Sequence, residues 1–250
     1  MKKKIDDRIR ILIENCVKTN HRSLVLIVGD RGLYQVVNLH ALLAKTRVKA
    51  QPTVLWCYKN ELEVSSNKKK RMKQIQKLEK KGNLDKEEIN QIELFMSSKD
   101  IRYTYYKDTH KILGQTFGMC VLQDFESITP NVLCRAIETV EGGGMIVMLF
   151  NTLTSLRQLY TISMDVHSRY RTEAHKMVKP RFNERFILSL SNCHTCLAID
   201  DELNILPLTQ SIKDIKEVSL PGMKAASSDA GFIENLYLTE EQKHLKDLKL

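Results

Sequence analysis

The stretch from Met164 to His175 concentrates side chains that bind anions or move protons. His167 and His175 can each change charge near neutral pH. Arg169 and Arg171 carry forked guanidinium groups suited to bidentate contact with phosphate or carboxylate. Asp165 and Glu173 add acids, and Tyr170 adds an aromatic ring. Eight of its twelve residues are polar or charged, so the stretch does not read as a core helix. Polar segments of this kind usually run over the surface as solvated loops. The functional alternative is an interaction surface for RNA or a neighbouring module, with His167, Arg169, Arg171 and His175 as its contact residues.

A second cationic feature lies upstream. Ser66 to Lys81 carries Lys68, Lys69, Lys70, Arg71, Lys73, Lys77, Lys80 and Lys81 against Glu79 alone. Met72, Ile75 and Leu78 form a thin apolar seam, which predicts a helix. Each lysine or arginine set on a phosphate releases a counterion, so such a helix suits RNA or DNA without sequence preference. Charge runs also serve as solvated arms or import signals. Lys68, Lys69, Lys70, Arg71 and Lys73 are the candidate contacts here.

Four further motifs fall short of enzyme signatures. Gly29-Asp30-Arg31-Gly32 follows a predicted strand and precedes a helix, where phosphate loops sit. The full signature needs a Gly-Lys dipeptide, and the sequence contains none. The glycines therefore read as a tight turn. Gln123-Asp124-Phe125-Glu126 stands where an ATPase holds magnesium, but it lacks a phosphate loop to work with. Gln115 to Cys120 approaches the Q-x-x-G-x-[GA] loop that holds coenzyme A. Cys120 takes the last position, and the segment leads into a strand instead of a helix. Cys193-His194-Thr195-Cys196 has half of a zinc-site spacing, with no second pair to complete it. Catalytic, cofactor-binding and metal positions are accordingly all read as none in this chain.

The elements that must position these groups alternate. A helix is predicted over Asp6 to Lys18, then an apolar strand over Ser23 to Val28 and a helix over Leu33 to Lys45. A strand over Thr53 to Tyr58 follows. After an insertion at about 66–98, strands are predicted over Ile101 to Tyr106 and Gly118 to Leu122. Thr129 and Pro130 read as the cap and first position of a helix running to Glu141. Gly142-Gly143-Gly144 reads as its stop. Met145 to Phe150 is a strand, Arg181 to Ser191 an amphipathic helix, and Thr195 to Ile199 and Asn204 to Leu206 the last strands. Strands separated by helices imply an α/β fold: a Rossmann-like, mostly parallel sheet with helices on both faces and no phosphate loop. Residues 1–206 form this domain. Residues 207–250 read as a linker and a charged helical stretch whose uncapped end suggests a piece of a longer chain.

Bulk properties narrow the class. With 250 residues and 42% hydrophobic residues, the chain can bury a proper core. The net charge of +9 favours an anionic partner, nucleic acid or an acidic surface. No apolar run approaches the ~20 residues of a bilayer-spanning helix, so no membrane role is expected. Four of the six cysteines lie in predicted strands or helices beside apolar neighbours, as reduced core cysteines of an intracellular protein do.

Several segments, in order, resemble one family. They include Asp6 to Asn15, Val28-Gly29-Asp30-Arg31-Gly32, Val54 to Lys59 and Thr109-His110-Lys111-Ile112-Leu113-Gly114. Phe117 to Glu126, Glu138 to Gly144, Met164 to His175 and Arg181 to Arg185-Phe186 complete the set. Together they look like the N-terminal domain of the eukaryotic RNA cytidine acetyltransferases, over about Met1 to Leu206. The resemblance implies an enzyme family that makes N4-acetylcytidine in small-subunit (18S) ribosomal RNA and in tRNA. It implies acetyl-coenzyme A and ATP with Mg for the full-length enzyme, nucleolar location in the nucleus, and a homodimer. It also implies helicase-like ATPase and acetyltransferase modules that this chain lacks, so no cofactor residue carries over. The expected role is an accessory scaffold domain, inactive alone. The rival readings are a free-standing RNA-binding ribosome-biogenesis protein and a nucleotide-dependent enzyme, and the missing Gly-Lys argues against the latter.

Overall fold

Apolar runs of strand length, spaced by amphipathic helices, leave few topologies open, and the computed structural model adopts a doubly wound one. The structure describes residues 5–47, 51–59, 95–96, 100–151, 172–174, 176, 181–209 and 215–218. Helix α1 (Asp7–Lys18) starts where the Asp6 carboxylate accepts the Arg8 backbone N–H. Strand β1 (Ser23–Val28) leads through a glycine turn into α2 (Gly32–Thr46) and on to β2 (Val54–Tyr58). Strand β3 (Ile101–Tyr105) is followed by a 3-10 helix (Tyr106–Ile112), then β4 (Phe117–Leu122). A 3-10 turn (Phe125–Ser127) and α3 (Pro130–Glu138) precede β5 (Val140–Phe150). Helix α4 (Arg181–Ser191), β6 (Cys196–Asp200) and the short β7 (Ile205–Leu206) complete the set.

The sheet order is β3-β2-β4-β5-β1-β6-β7. Every pairing is parallel except β6 with β7, which is antiparallel. Strands β2 and β4 are buried along their whole length, as continuous apolar runs in a parallel sheet require. Side chains of one strand feed both faces. Leu26 joins Leu122 and Met148 beneath Val132, Leu133, Ile187 and Leu190 of α3 and α4. Val25 and Ile27 join Trp56 and Val121 beneath Ile9, Ile13, Val36 and Leu39 of α1 and α2. Burying one such side chain is worth about 1.5–3 kcal/mol, so these two layers fix the strand register.

Two details depart from the sequence expectations. Helix α3 ends at Glu138, and the glycine triplet lies inside β5 instead of ending a helix. The reason is close approach: a Cβ on Gly143 would lie 3.2 Å from Val17 Cα, and one on Gly142 would run into the Asn20 side chain. Gly143 also sits at φ +72°, which side chains disfavour. Secondly, β3 stops at Tyr105 and the 3-10 helix begins at Tyr106.

Contacts continue past Leu206. Thr209 Oγ1 donates to the Cys196 carbonyl at 3.2 Å, Ile215 packs on the α1 side, and Asn15 Nδ2 donates to the Lys216 carbonyl at 2.8 Å. The unit holding these contacts is Met1–Glu217. A second unit, Val218–Leu250, contributes only Val218 to the described residues.

Candidate functional site

In an open parallel sheet, ligands bind beyond the strands' carboxyl ends, where connections part to opposite faces. Here that point is β1 beside β5. The chain leaves β1 into α2 on one face, and leads from β5 to α4 on the other. Gly29 to Gly32 lies at this point, and the Gly29 N–H donates to the Phe150 carbonyl at 3.0 Å. The sequence-level expectation of a tight turn is correct in form: Gly29 has φ +141°.

The crevice is closed by a residue that the sequence reading did not single out. The Asp201 carboxylate lies against Gly29 so closely that a Cβ there would overlap both of its oxygens. Asp201 Oδ2 accepts the Arg31 backbone N–H at 3.2 Å, and the Asp201 carbonyl accepts Gln35 Nε2 at 2.5 Å. Asp201 Oδ1 is buried and accepts no hydrogen bond among the described residues. A protein carboxylate thus takes the place of a phosphate at the start of α2. A phosphate brought within 4 Å of it would meet repulsion of about 4 kcal/mol at an effective dielectric of 20.

The second parting of connections is between β2 and β4. Gln123 there joins three elements. Its N–H donates to the Cys57 carbonyl at 3.0 Å, its Oε1 accepts Trp56 Nε1 at 3.2 Å, and its carbonyl accepts the Tyr106 hydroxyl. Asp124 adopts φ 56° and accepts the Lys59 backbone N–H through Oδ2 at 3.2 Å. These partners give Gln123 and Asp124 a structural role at the strand ends. No group of three or more His, Cys, Asp or Glu side chains among the described residues is placed to hold a metal ion. Cys193 Sγ lies 3.6 Å from Thr195 Oγ1, and Cys196 is buried.

Lys68, Lys69, Lys70, Arg71, Lys73, His167, Arg169, Arg171 and His175 all lie outside the described residues. So do the predicted helix over Ser66 to Lys81 and most of the 207–250 tail. The described residues carry as many acidic as basic side chains, so the net +9 of the chain arises outside them. Asp201 escaped the sequence reading because its partner Arg31 is 170 positions away. The only local signal was the acidic triplet Asp200-Asp201-Glu202 after an apolar run.

Layout and site together define an α/β domain with a Rossmann-like parallel sheet and an aspartate, Asp201, seated against its glycine turn. Residues 1–201 match the family model described as tRNA(Met) cytidine acetyltransferase TmcA, N-terminal. RNA cytidine acetyltransferase of Homo sapiens is 62% identical over 211 residues, covering 84% of this chain and 21% of that protein. The protein of the same name from Schizosaccharomyces pombe is 52% identical over 244 residues, covering 97% and 23%. RNA cytidine acetyltransferase 2 of Arabidopsis thaliana is 49% identical over 249 residues, covering 100% and 23%. The chain belongs to this cytidine acetyltransferase N-terminal family. It spans about a fifth of the length of the curated relatives it matches.

Proposed function

We propose that the chain is the N-terminal accessory and scaffold domain of an RNA cytidine N4-acetyltransferase. The observation that carries this reading is the crevice filled by Asp201, in a chain whose relatives bear that enzyme's name. On this reading the complete enzyme acetylates cytidine in 18S ribosomal RNA and tRNA, in the nucleolus, using acetyl-coenzyme A and Mg-ATP. Those substrates are held by helicase-like ATPase and acetyltransferase modules, not by this domain. The domain's own work is to dock on the modules and to add a basic surface for RNA, and the complete enzyme works as a homodimer.

The test has two arms. Incubating the 250-residue chain with acetyl-coenzyme A, Mg-ATP and small-subunit RNA is expected to leave cytidine unmodified, because two substrates must be positioned together for acyl transfer. Deleting the matching residues from a full-length relative is expected to reduce its RNA acetylation, and supplying this chain in trans to restore part of it. N4-acetylcytidine formed by the chain alone, or full activity after the deletion, would overturn the reading.

A further inference from the structure

Cys193-His194-Thr195-Cys196 lies at the amino end of β6, away from Asp201 at its other end, and joins α4 to that strand. The Cys193 N–H donates to the Leu190 carbonyl at 3.1 Å, which ties the motif to the last turn of α4. The Cys196 N–H donates back to the Cys193 carbonyl at 3.4 Å, the bond that closes a four-residue turn. The end residues of such a turn have Cα atoms within about 7 Å of each other. Disulfides join Cα atoms about 4.4–6.8 Å apart. The backbone therefore holds the two cysteines within about the span that a disulfide bridges.

The side chains agree with the backbone. Cys196 belongs to the apolar layer beneath α3 and α4, and Cys193 packs against the same layer. The thiols are close enough that Cys193 adds to burial in raising the Cys196 thiol above its ordinary range. Their exposure differs: Cys193 is half-buried and open to solvent, whereas Cys196 is buried. Access also sets this pair apart from Cys57 and Cys120, which are both fully buried. Cys16 lies in the opposite layer, with α1 and α2. The turn is held by its neighbours: the Thr195 carbonyl accepts the Leu24 N–H at 2.9 Å, and the Cys196 carbonyl accepts Thr209 Oγ1 at 3.2 Å. Among the described residues no further His, Cys, Asp or Glu joins the pair in a metal-binding group. The chemistry left to the two thiols is with each other.

We infer that Cys193 and Cys196 are a redox-active dithiol, which hydrogen peroxide converts to a disulfide across the α4–β6 turn. The accessible Cys193 thiolate attacks one peroxide oxygen, the O–O bond breaks, and the departing hydroxide takes up the proton that Cys193 gave up. Cys193 is then a sulfenic acid. The Cys196 sulfur attacks it, the S–S bond forms, the S–O bond breaks, and hydroxide leaves as water with the Cys196 proton. Two thiols lose two electrons and two protons, and one peroxide becomes two waters. A dithiol reductant reverses the bridge by exchange. In a reducing compartment a bridge of this kind is transient and reports the oxidant. It would fix the α4–β6 turn at the point where Thr209 anchors the chain that follows β7.

The experiment treats the reduced 250-residue chain with hydrogen peroxide, blocks remaining thiols with N-ethylmaleimide, and maps tryptic peptides without reduction. Trypsin leaves both cysteines on one peptide, Phe186 to Lys213, and Cys16 on another. The Phe186 to Lys213 peptide should lose two hydrogens and take up no maleimide, and dithiothreitol before blocking should restore both maleimide additions. Cys196→Ala should stop the reaction at the Cys193 sulfenic acid, trapped by dimedone. Cys193→Ser should leave Cys196 reduced. Circular dichroism confirms that each variant is folded, and the mapping of the parent chain stands without them. A Cys193–Cys16 bridge, a bridge between two chains, or sulfinic acid at Cys193 with Cys196 still reduced would each overturn the inference. So would two free thiols on this peptide under conditions that oxidise the exposed Cys134.

Discussion

The Asp201 carboxylate occupies the space that a side chain on Gly29 would need. The two residues lie at the ends of different strands, β1 and β6, which pair in parallel. The contact therefore joins the β1–α2 turn to the β6–β7 turn and depends on both being in register. Gly29→Ala should cost about 2–4 kcal/mol, because it adds a clash with Asp201 to a backbone angle that alanine disfavours. In an Asp201→Ala background the clash disappears and only the backbone strain remains. The cost should then fall by about 1 kcal/mol or more, the coupling expected of residues in contact. Urea unfolding followed by the emission of Trp56, the single tryptophan and fully buried, reads this directly. Equal costs in the two backgrounds would show that Asp201 does not press on Gly29.

Much of this fold is visible in the sequence because its strands are buried on both faces. Ser23 to Val28, Val54 to Tyr58 and Gly118 to Leu122 are nearly continuous apolar runs, and the structure makes each a central strand. The glycine triplet misleads because composition cannot separate a helix stop from a strand crossed closely by another element. Only the passage of α1 over Gly143, and of the turn after it over Gly142, explains those residues. The 3-10 helix from Tyr106 is hidden for a related reason. Its buried positions, Tyr106, Thr109 and Ile112, repeat every third residue and include a polar threonine. The filled crevice was beyond local reading, since nothing near Asp201 in sequence indicates Gly29.

The cysteines should differ sharply in reactivity. Cys134 is exposed on α3, whereas Cys16, Cys57, Cys120 and Cys196 are buried. Burial pushes the Cys16 thiol up to about 11 and raises that of Cys196 as well. A hydrogen bond with Cys57, added to burial, raises that of Cys120. Only the thiolate attacks an alkylating reagent, and a raised pKa leaves less of it at any pH below that value. At pH 8 a thiol with pKa about 11 is ionised to about one part in a thousand. Iodoacetamide and peptide mapping should therefore find Cys134 modified first in the native chain, with the four buried cysteines following only on unfolding. Cys16 or Cys196 reacting as fast as Cys134 would contradict the burial described.

The Arg47–Glu141 pair gives a prediction with a sign. Arg47 lies with its side chain only 11% exposed and donates to Glu141 Oε1 at 2.7 Å, while Glu141 is 40% exposed. The guanidinium is so close to Gly118 that a Cβ there would stand 2.8 Å from Nη1 and 2.6 Å from the Pro52 Cβ. The pair is asymmetric: Glu141 can turn to water if its partner is removed, and Arg47 cannot. Glu141→Ala leaves a largely buried cation without its carboxylate and should cost about 1.5–3 kcal/mol, as for hydrogen bonds to charged groups. Arg47→Met keeps the apolar stem packed and frees a carboxylate that is already half in solvent, so it should cost less, within about 1 kcal/mol. Urea unfolding of both variants at one salt concentration decides the order. An Arg47→Met variant as unstable as Glu141→Ala would mean that the arginine is held by packing alone, and that the carboxylate does not offset the burial of its charge.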